Sequence, residues 1–108
     1  MSKIGTYLGF CMRSGKLVFG TDNAEKQTKG VYLLMIDGAL SENAAKHMRA
    51  LSTKLGCPML KTGAGVLGEL LHRPSVKAVA VKERNLAAAI LTEAERDGEM
   101  KLYSGGEN

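Results

Sequence analysis

The feature that most constrains the fold is a continuous apolar run over Val31–Ile36, which lies between Gly30 and the pair Asp37-Gly38. A run of this length without polar positions is typical of a strand that is buried on both faces. Such a strand has to be covered by other elements. The run therefore predicts a small sheet packed within an α/β domain.

Helical and strand-like patterns alternate along the rest of the chain. Ser41 is placed to cap a helix that Gly56 ends, and Gly15 and Gly30 stop two others. The remaining predicted helices cover about residues 3–13, 21–29, 65–72 and 84–96, and the predicted strands cover 16–19, 31–36, 57–60 and 76–81. This order predicts the α/β class, with one domain over residues 1–96 and a flexible C-terminal tail over 97–108.

Charge is distributed unevenly along the 108 residues, whose formal net charge is +4. Residues 1–92 hold thirteen Lys and Arg against six Asp and Glu, a net charge of +7, whereas residues 93–108 have a net charge of −3. A basic body suits a polyanionic partner, although a solvated surface is the alternative. We find no apolar run near the roughly 20 residues that span a bilayer and no signal peptide, so we expect a cytoplasmic protein without a membrane partner.

The chain offers few residues for catalysis or metal binding. Cys11 and Cys57 are far apart and belong to no CxxC motif, so we expect reduced, packed thiols rather than a zinc site. Neither His47 nor His72 has a carboxylate nearby in the sequence to orient it as a general base; a Cys–His pair formed in space is an alternative. We therefore expect no enzyme, no cofactor, no metal and no small-molecule substrate.

The stretch Gly20–Lys26 is the strongest candidate for a binding element. A glycine at a predicted helix start and Lys26 one turn later would present backbone N–H groups and a cation to an anion. The side chains of Thr21, Asp22 and Asn23 could bond the edges of a nucleobase. The alternative is structural, since Asp and Asn are favoured as helix caps, and judged alone these residues favour capping.

Basic residues accompany this stretch. If the predicted strand leads directly into the helix, then Lys16, Gly20 and Lys26 would lie near one end of the molecule and could hold phosphates there. The predicted peripheral phosphate contacts are Arg13, Lys16 and Lys29.

The segment Gly63–Gly68 matches the pattern GxGxxG and has Glu83 twenty residues beyond its first glycine, as in dinucleotide-binding proteins. It follows a strand of only about four residues that begins at Pro58, and that strand is not the first of a βαβ unit. A small nucleotide-binding domain is therefore an alternative function. The structural interpretation is a Gly-rich turn in which Gly68 allows close packing.

Six segments in order resemble one family of RNA-binding proteins. GTDNAEK over 20–26 is similar to the family's RNA-contacting G-x-N-E-x-x-K element. LGFCMRSGKLVFG (8–20), YLLMIDGALSENAAKHM (32–48), LGCPML (55–60), residues 63–71 and VKAVAVKERNLAAAIL (76–91) resemble its other helices, strands and turns. Over roughly residues 4–92 the chain is thus similar to a bacterial member of the kink-turn RNA-binding ribosomal protein superfamily, the L-seven-Ae / L-thirty-e group.

The resemblance implies a three-layer α/β/α sandwich with a four-stranded mixed sheet. It also implies a non-catalytic protein that binds structured RNA. The RNA would be a kink-turn, in which sheared G·A pairs beside a three-nucleotide bulge bend the helix, or a similarly kinked ribosomal RNA, and the ribosome is a possible partner. A protein-interaction module that kept the fold and lost RNA affinity is a further alternative.

By position, the resemblance assigns roles to three segments. Gly20 would allow close approach of the RNA, and Lys26 would contact a phosphate or a guanine. The base edges would be contacted by Thr21, Asp22 and Asn23. The same surface would be bordered by Ile36, Asp37, Gly38 and Ala39, and the bulged nucleotides would be covered by Arg73, Pro74, Ser75, Val76 and Lys77.

The chain departs from the family at specific positions. Asp22 stands where the family usually has Asn, and a carboxylate accepts hydrogen bonds but cannot donate them. Asn23 stands where the family usually has Glu, whose charge strengthens acceptance from guanine N–H groups. The loop over the bulge is often apolar in the family, whereas this chain has Arg73 and Lys77 there.

Overall fold

A computed structural model describes residues 3–103 of the chain. Over these residues helices and strands alternate strictly. The helices are α1 (Lys3–Arg13), α2 (Thr21–Glu25), α3 (Glu42–Leu55), α4 (Val66–Leu71) and α5 (Arg84–Asp97), and the strands are β1 (Leu17–Phe19), β2 (Leu33–Ile36), β3 (Met59–Lys61), β4 (Ala78–Val81) and β5 (Lys101–Tyr103). Among these helices, none combines the length and hydropathy needed to cross a lipid bilayer.

The strands form one mixed sheet in the order β1-β4-β2-β3-β5, in which only β2 and β3 run parallel. The predicted α/β class is confirmed, but the predicted four strands are corrected to five. The fifth strand lies within the predicted flexible tail, where Leu102 pairs with Leu60 of β3. Residues 104–108 of that tail lie outside the described residues. A segment of three residues that begins with a lysine showed no strand pattern in the sequence, since β5 depends on pairing with a distant strand.

Two buried clusters show how the helices pack. Leu33 and Met35 of β2 belong to a cluster with residues of α1, α4 and α5, whereas Leu34 and Ile36 belong to a second cluster with residues of α2 and α3. Each of these four side chains is at most 1% exposed. The prediction of a strand buried on both faces is therefore confirmed, because alternate side chains along β2 enter opposite clusters.

The two ends of the sheet carry different segments. Since β1 and β2 are both antiparallel to β4, the last residues of β1 and β2 meet the first residues of β4. The Gly20 N–H donates to the Ala78 carbonyl at 2.8 Å, and the Asp37 N–H donates to the Lys77 carbonyl at 2.9 Å. We call this end of the sheet the Gly20 end. At the opposite end the Lys82 N–H donates to the Lys16 carbonyl at 2.8 Å.

Local signals explain where α3 begins and ends and why α2 is short. The Ser41 hydroxyl accepts from the Ala44 N–H at 3.2 Å, and Gly56 ends α3 with a φ of 66°, as predicted. The helix predicted over 21–29 instead stops at Glu25. Ala24 is the only buried residue of α2, so a longer helix would bury little more apolar surface to stabilise it.

Candidate nucleic-acid interface

Three segments predicted from the sequence meet at the Gly20 end. The backbone bonds of Gly20 to Ala78 and of Asp37 to Lys77 bring the start of α2 and the loop after β2 against the start of β4. The guanidinium of Arg73 lies 4.8 Å from the centre of the Phe19 ring, which joins the loop before β4 to the end of β1. Three of the predicted segments, residues 20–23, 36–39 and 73–77, therefore lie side by side at the Gly20 end.

Gly20 adopts a backbone conformation that only glycine reaches without strain. Its φ of 89° and ψ of 152° lie in a region almost restricted to glycine. A Cβ placed on Gly20 would meet no heavy atom within 4 Å. The restriction is thus conformational rather than steric, and the space above the residue is open to an approaching ligand.

The capping interpretation of Asp22 and Asn23 is wrong. Gly20 is the N-cap of α2, and no side chain caps that helix. Asp22 is exposed, and its carboxylate has no hydrogen bond or ion pair within residues 3–103. The side-chain amide of Asn23 donates backwards to the Phe19 carbonyl at 3.0 Å, which leaves the amide oxygen as an acceptor. Thr21 is half-buried at the first position of α2.

Lys26 is the C-cap of the short helix rather than a residue of its second turn. Its backbone has a φ of −78°, and its N–H lies 3.3 Å from the Asn23 carbonyl. The side chain is exposed and makes no ion pair with another described residue. Lys26 follows Asp22 by four residues, so both side chains leave α2 on the same side. The helix has only five residues, so the Lys26 ammonium group rather than a helix dipole is its means of binding an anion.

Asp37 is buried and bonded inside the protein. Its side chain is 1% exposed, and its oxygens accept from the backbone N–H groups of Ala39 at 2.8 Å, Gly65 at 2.9 Å and Leu67 at 3.0 Å. The Thr62 hydroxyl lies 3.3 Å from the same carboxylate. Burial by itself raises the pKa of Asp37, but these bonds outweigh it and hold the pKa below its ordinary value. The prediction that Asp37 contacts RNA is therefore corrected, because the carboxylate is inaccessible.

The other residues of the loop after β2 differ in accessibility. Ile36 is 1% exposed and belongs to the core, so its predicted contact with RNA is also corrected. A Cβ on Gly38 would lie 2.7 Å from the Thr62 carbonyl oxygen and 2.9 Å from the Ala64 nitrogen, so this position requires glycine for close approach. Ala39 is exposed and remains available at the surface.

The GxGxxG segment has its anion-binding groups already occupied. The N–H groups of Gly65 and Leu67, at the start of α4, both donate to the Asp37 carboxylate. In a dinucleotide site such groups would hold a pyrophosphate. Here a phosphate would have to displace a buried negative charge. A Cβ on Gly68 would lie 2.9 Å from the Pro74 Cα, so this glycine permits close packing, as the structural interpretation predicted.

The loop over residues 73–77 is held from both sides. The Arg73 N–H donates to the Gly68 carbonyl at 2.9 Å, and the Val76 N–H donates to the Arg73 carbonyl at 3.0 Å, which closes a turn. Val76 is half-buried against the core, whereas Pro74, Ser75 and Lys77 are exposed. The loop thus presents an exposed turn and two cations beside Gly20.

Phe19 is a member of the site that sequence reasoning did not single out. Its ring lies under the Arg73 guanidinium, and its carbonyl accepts from the Asn23 amide. The sequence signal for it is only its position directly before Gly20. The contact with Arg73 joins residues 54 positions apart, so local patterns could not have revealed it.

The predicted peripheral phosphate contacts lie at the other end of the sheet, so the prediction that Lys16 lies near Gly20 is wrong. Arg13 ends α1 and Lys16 precedes β1, so both lie at the opposite end of the sheet from Gly20. Gly30, which follows Lys29, would place a Cβ 3.7 Å from the Cε of Lys82, at that same opposite end. Strand β1 runs between Lys16 and Gly20, and an extended chain advances about 3.3 Å per residue.

The thiols have little nucleophilic character. Both cysteines are free and buried, as predicted. Burial, and secondarily the charge of Glu83, raises the pKa of Cys11 to about 11, and burial also raises the pKa of Cys57. The protonated thiol predominates at neutral pH, so a Cys–His nucleophile is disfavoured at either position. Within residues 3–103, no three His, Cys, Asp or Glu side chains are grouped to hold a metal ion.

Comparison with known proteins gives the fold but no family. No family model matches the chain, and no curated protein matches it significantly. A solved structure, described as a protein with unknown function from Bacillus halodurans C, is similar with a TM-score of 0.79 and 16% sequence identity. The alignment covers 88% of this chain and 99% of that chain. At this identity, the likeness shows that the two chains share a fold.

Proposed function

We propose that this chain is a non-catalytic RNA-binding protein of the kink-turn-binding ribosomal protein type, which acts in the cytoplasm on kinked RNA. The two core clusters on β2 support the three-layer α/β/α arrangement that belongs to this proposal. The observation that carries the functional proposal is the meeting of three separate segments at the Gly20 end. The resemblance, judged from sequence alone, assigned RNA contacts to these same segments.

The chemistry of this end suits a bent RNA. Open space above Gly20 allows a base edge to approach the backbone, and the exposed Asp22 carboxylate can accept from base N–H groups. Lys26, Arg73 and Lys77 supply positive charge around that space. RNA recognition of this kind relies on shape and on accessible base edges, which a kink-turn provides.

Nucleotide binding through the GxGxxG segment is the less favoured function, because the Asp37 carboxylate occupies the N–H groups that a phosphate would need. A protein-interaction module has one observation in its favour. The exposed Asp22 carboxylate, which has no partner among residues 3–103, would repel phosphate and would suit a basic protein partner. Measured RNA affinity distinguishes this module from an RNA-binding protein.

The test is a titration of the purified protein with two RNAs across a salt series. One RNA contains a kink-turn, and the other has Watson–Crick pairs in place of its sheared G·A pairs. We expect tighter binding to the kink-turn RNA at every salt concentration. Equal affinity for both RNAs would refute recognition of the kink, and no affinity for either would favour the protein-interaction alternative.

Lys26→Ala tests the placement of the site. We expect this variant to lose at least about 1 kcal/mol of kink-turn affinity and to lower the salt slope by about one, because one phosphate contact disappears. Lys46→Ala is the matched control, since Lys46 is an exposed lysine on α3. Equal losses in the two variants would show that Lys26 contributes only general charge.

A further inference from the structure

The end of the sheet opposite Gly20 carries a cluster of positive charge that the proposed site does not use. Turns from three parts of the chain meet there. The Lys82 backbone N–H donates to the Lys16 carbonyl. The Lys82 Nζ donates to the Gln27 Oε1 at 2.7 Å. The basic end, as we call this surface, consists of Arg13, Lys16, Lys29, Lys82 and Arg84.

These charges are not neutralised by neighbouring acids. The ion pairs found within residues 3–103 are His47 with Glu25 and Arg96 with Glu93, so none includes a residue of the basic end. Glu83 is the one acid between Lys82 and Arg84, and its carboxylate caps α5 by accepting from the Leu86 N–H. Five cations thus outweigh the Glu83 carboxylate among them, the excess of positive charge repels itself, and a polyanion would relieve that repulsion.

Exposed aromatic rings accompany the cations. Phe10 is 45% exposed in the last turn of α1, and the Arg13 guanidinium lies 4.9 Å from the centre of its ring. Tyr32 is 43% exposed directly before β2, and its N–H bonds the Val81 carbonyl beside Lys82. Cations interleaved with exposed aromatic rings are typical of surfaces that bind nucleic acid, because the rings can also stack on bases.

We propose that the basic end makes a second, sequence-independent contact with the RNA, to backbone phosphates outside the kinked element. This inference rests on the proposed function only in taking RNA as the partner. The two ends are separated by the short strand β1, which places Lys16 about 13 Å from Gly20 in an extended chain. An RNA stem that leaves the Gly20 end along one side of the protein therefore comes within reach of the basic end.

The experiment uses paired charge reversals at exposed positions. Lys16→Glu with Lys29→Glu alters the basic end, while Lys46→Glu with Lys54→Glu is the matched control on α3. Each protein is titrated with a plain RNA duplex and with a kink-turn RNA of the same length over a salt series. Circular dichroism during heating establishes that each variant is folded.

We expect the basic-end variant to bind the plain duplex about tenfold more weakly, with a salt slope smaller by about two, because two phosphate contacts are lost. Kink-turn affinity should fall by a similar factor, so that the preference for the kink-turn over the duplex is kept. The neutral variant, Lys16→Gln with Lys29→Gln, should show a smaller loss in the same direction.

Two results would overturn the inference. One is an unchanged duplex affinity and salt slope in the basic-end variant, and the other is an equal loss in the control. Failure of the proposed function is separate. Suppose that the wild-type protein does not prefer the kink-turn but the basic-end variant still loses duplex binding. That result would support RNA binding by the basic end and would refute recognition of the kink.

Discussion

The bonds around Asp37 allow a stability prediction that also tests how the Gly20 end is held. Replacing the residue by Asn keeps its shape but exchanges one carboxylate oxygen for an NH₂ group. The amide oxygen can still accept from Ala39 and Gly65, at the cost of losing the charge that strengthens both bonds. The NH₂ group then faces the N–H of Leu67, a residue that is 0% exposed.

The magnitude follows from these contacts. A buried N–H left without an acceptor costs about 1–3 kcal/mol, and each remaining bond weakens by about 1 kcal/mol when its acceptor loses the charge. The neutral side chain offsets part of this loss of stability, because it avoids the cost of desolvating a buried carboxylate. We expect Asp37→Asn to lower the free energy of unfolding by about 3 kcal/mol, and to lower Tm by about 13 °C for a domain of this size.

Urea unfolding followed by circular dichroism measures this loss. Asp22→Asn is the matched control, since Asp22 is exposed and unpaired within residues 3–103, and its stability should stay within about 0.5 kcal/mol of wild type. A change of less than about 0.5 kcal/mol in Asp37→Asn at pH 7 would refute the account, because it would mean that these N–H groups do not depend on the carboxylate.

The pH dependence of the stability difference between wild type and Asp37→Asn is a second check. The pKa of Asp37 is lower in the folded protein than in the unfolded chain, where it is about 3.9. The carboxylate therefore contributes its full stability above about pH 4, and the contribution disappears as the pH falls through the folded pKa. The gap between wild type and Asp37→Asn should be constant from about pH 5 to 8 and should narrow in acid. A gap that widened in acid would contradict the direction of the shift.

Three further substitutions test the proposed RNA surface. Gly20→Ala should destabilise the protein by about 2 kcal/mol in urea unfolding, because alanine is strained at a φ of 89°; a neutral result would mean that the turn relaxes freely. Gly68→Ala should lower kink-turn affinity more than duplex affinity, since its Cβ would displace the loop at Pro74, whereas Gly63→Ala, with open surroundings apart from Val66, should not. Asp22→Asn should improve kink-turn affinity, because the restored donor and the removal of a negative charge near phosphate should outweigh the weaker acceptance from base N–H groups. Weaker binding would show that acceptance by the charged carboxylate is the larger effect.

Local signals predicted much of the fold. The apolar run in β2, the Ser41 cap and the Gly56 stop depend on neighbours within a few residues, and the structure has each as predicted. Strand β5 could not be found this way, because Lys101–Tyr103 forms a strand only by pairing with β3. The prediction that Lys16 lies near Gly20 was wrong. The chain spacing alone argues against it, because four steps of extended chain separate the two residues by about 13 Å.

The site was predictable as a set of segments but not as a set of side chains. Asp37 follows β2 in a loop, and it was therefore predicted to contact RNA at the surface. Its partners Gly65 and Leu67 lie 28 and 30 residues further along the chain, so no local pattern reveals that the carboxylate is consumed internally. The GxGxxG motif indicates ligand binding only where its backbone N–H groups are free. Here the buried Asp37 carboxylate accepts from two of them, so the motif does not indicate a ligand site.

The two departures from the pattern of the family that the chain resembles have different consequences for the proposed RNA selectivity. Asn23 donates its amide to the Phe19 carbonyl, a bond that a Glu carboxylate at this position could not make, so here the residue supports the turn. Phe19 also carries the Arg73 guanidinium on its ring, which means that the turn and the loop over residues 73–77 share one support. Asp22 alone is exposed and without a partner within the described chain. Discrimination between base edges at the start of α2 should therefore depend on residue 22 more than on residue 23, whose replacement would loosen the turn and the loop together.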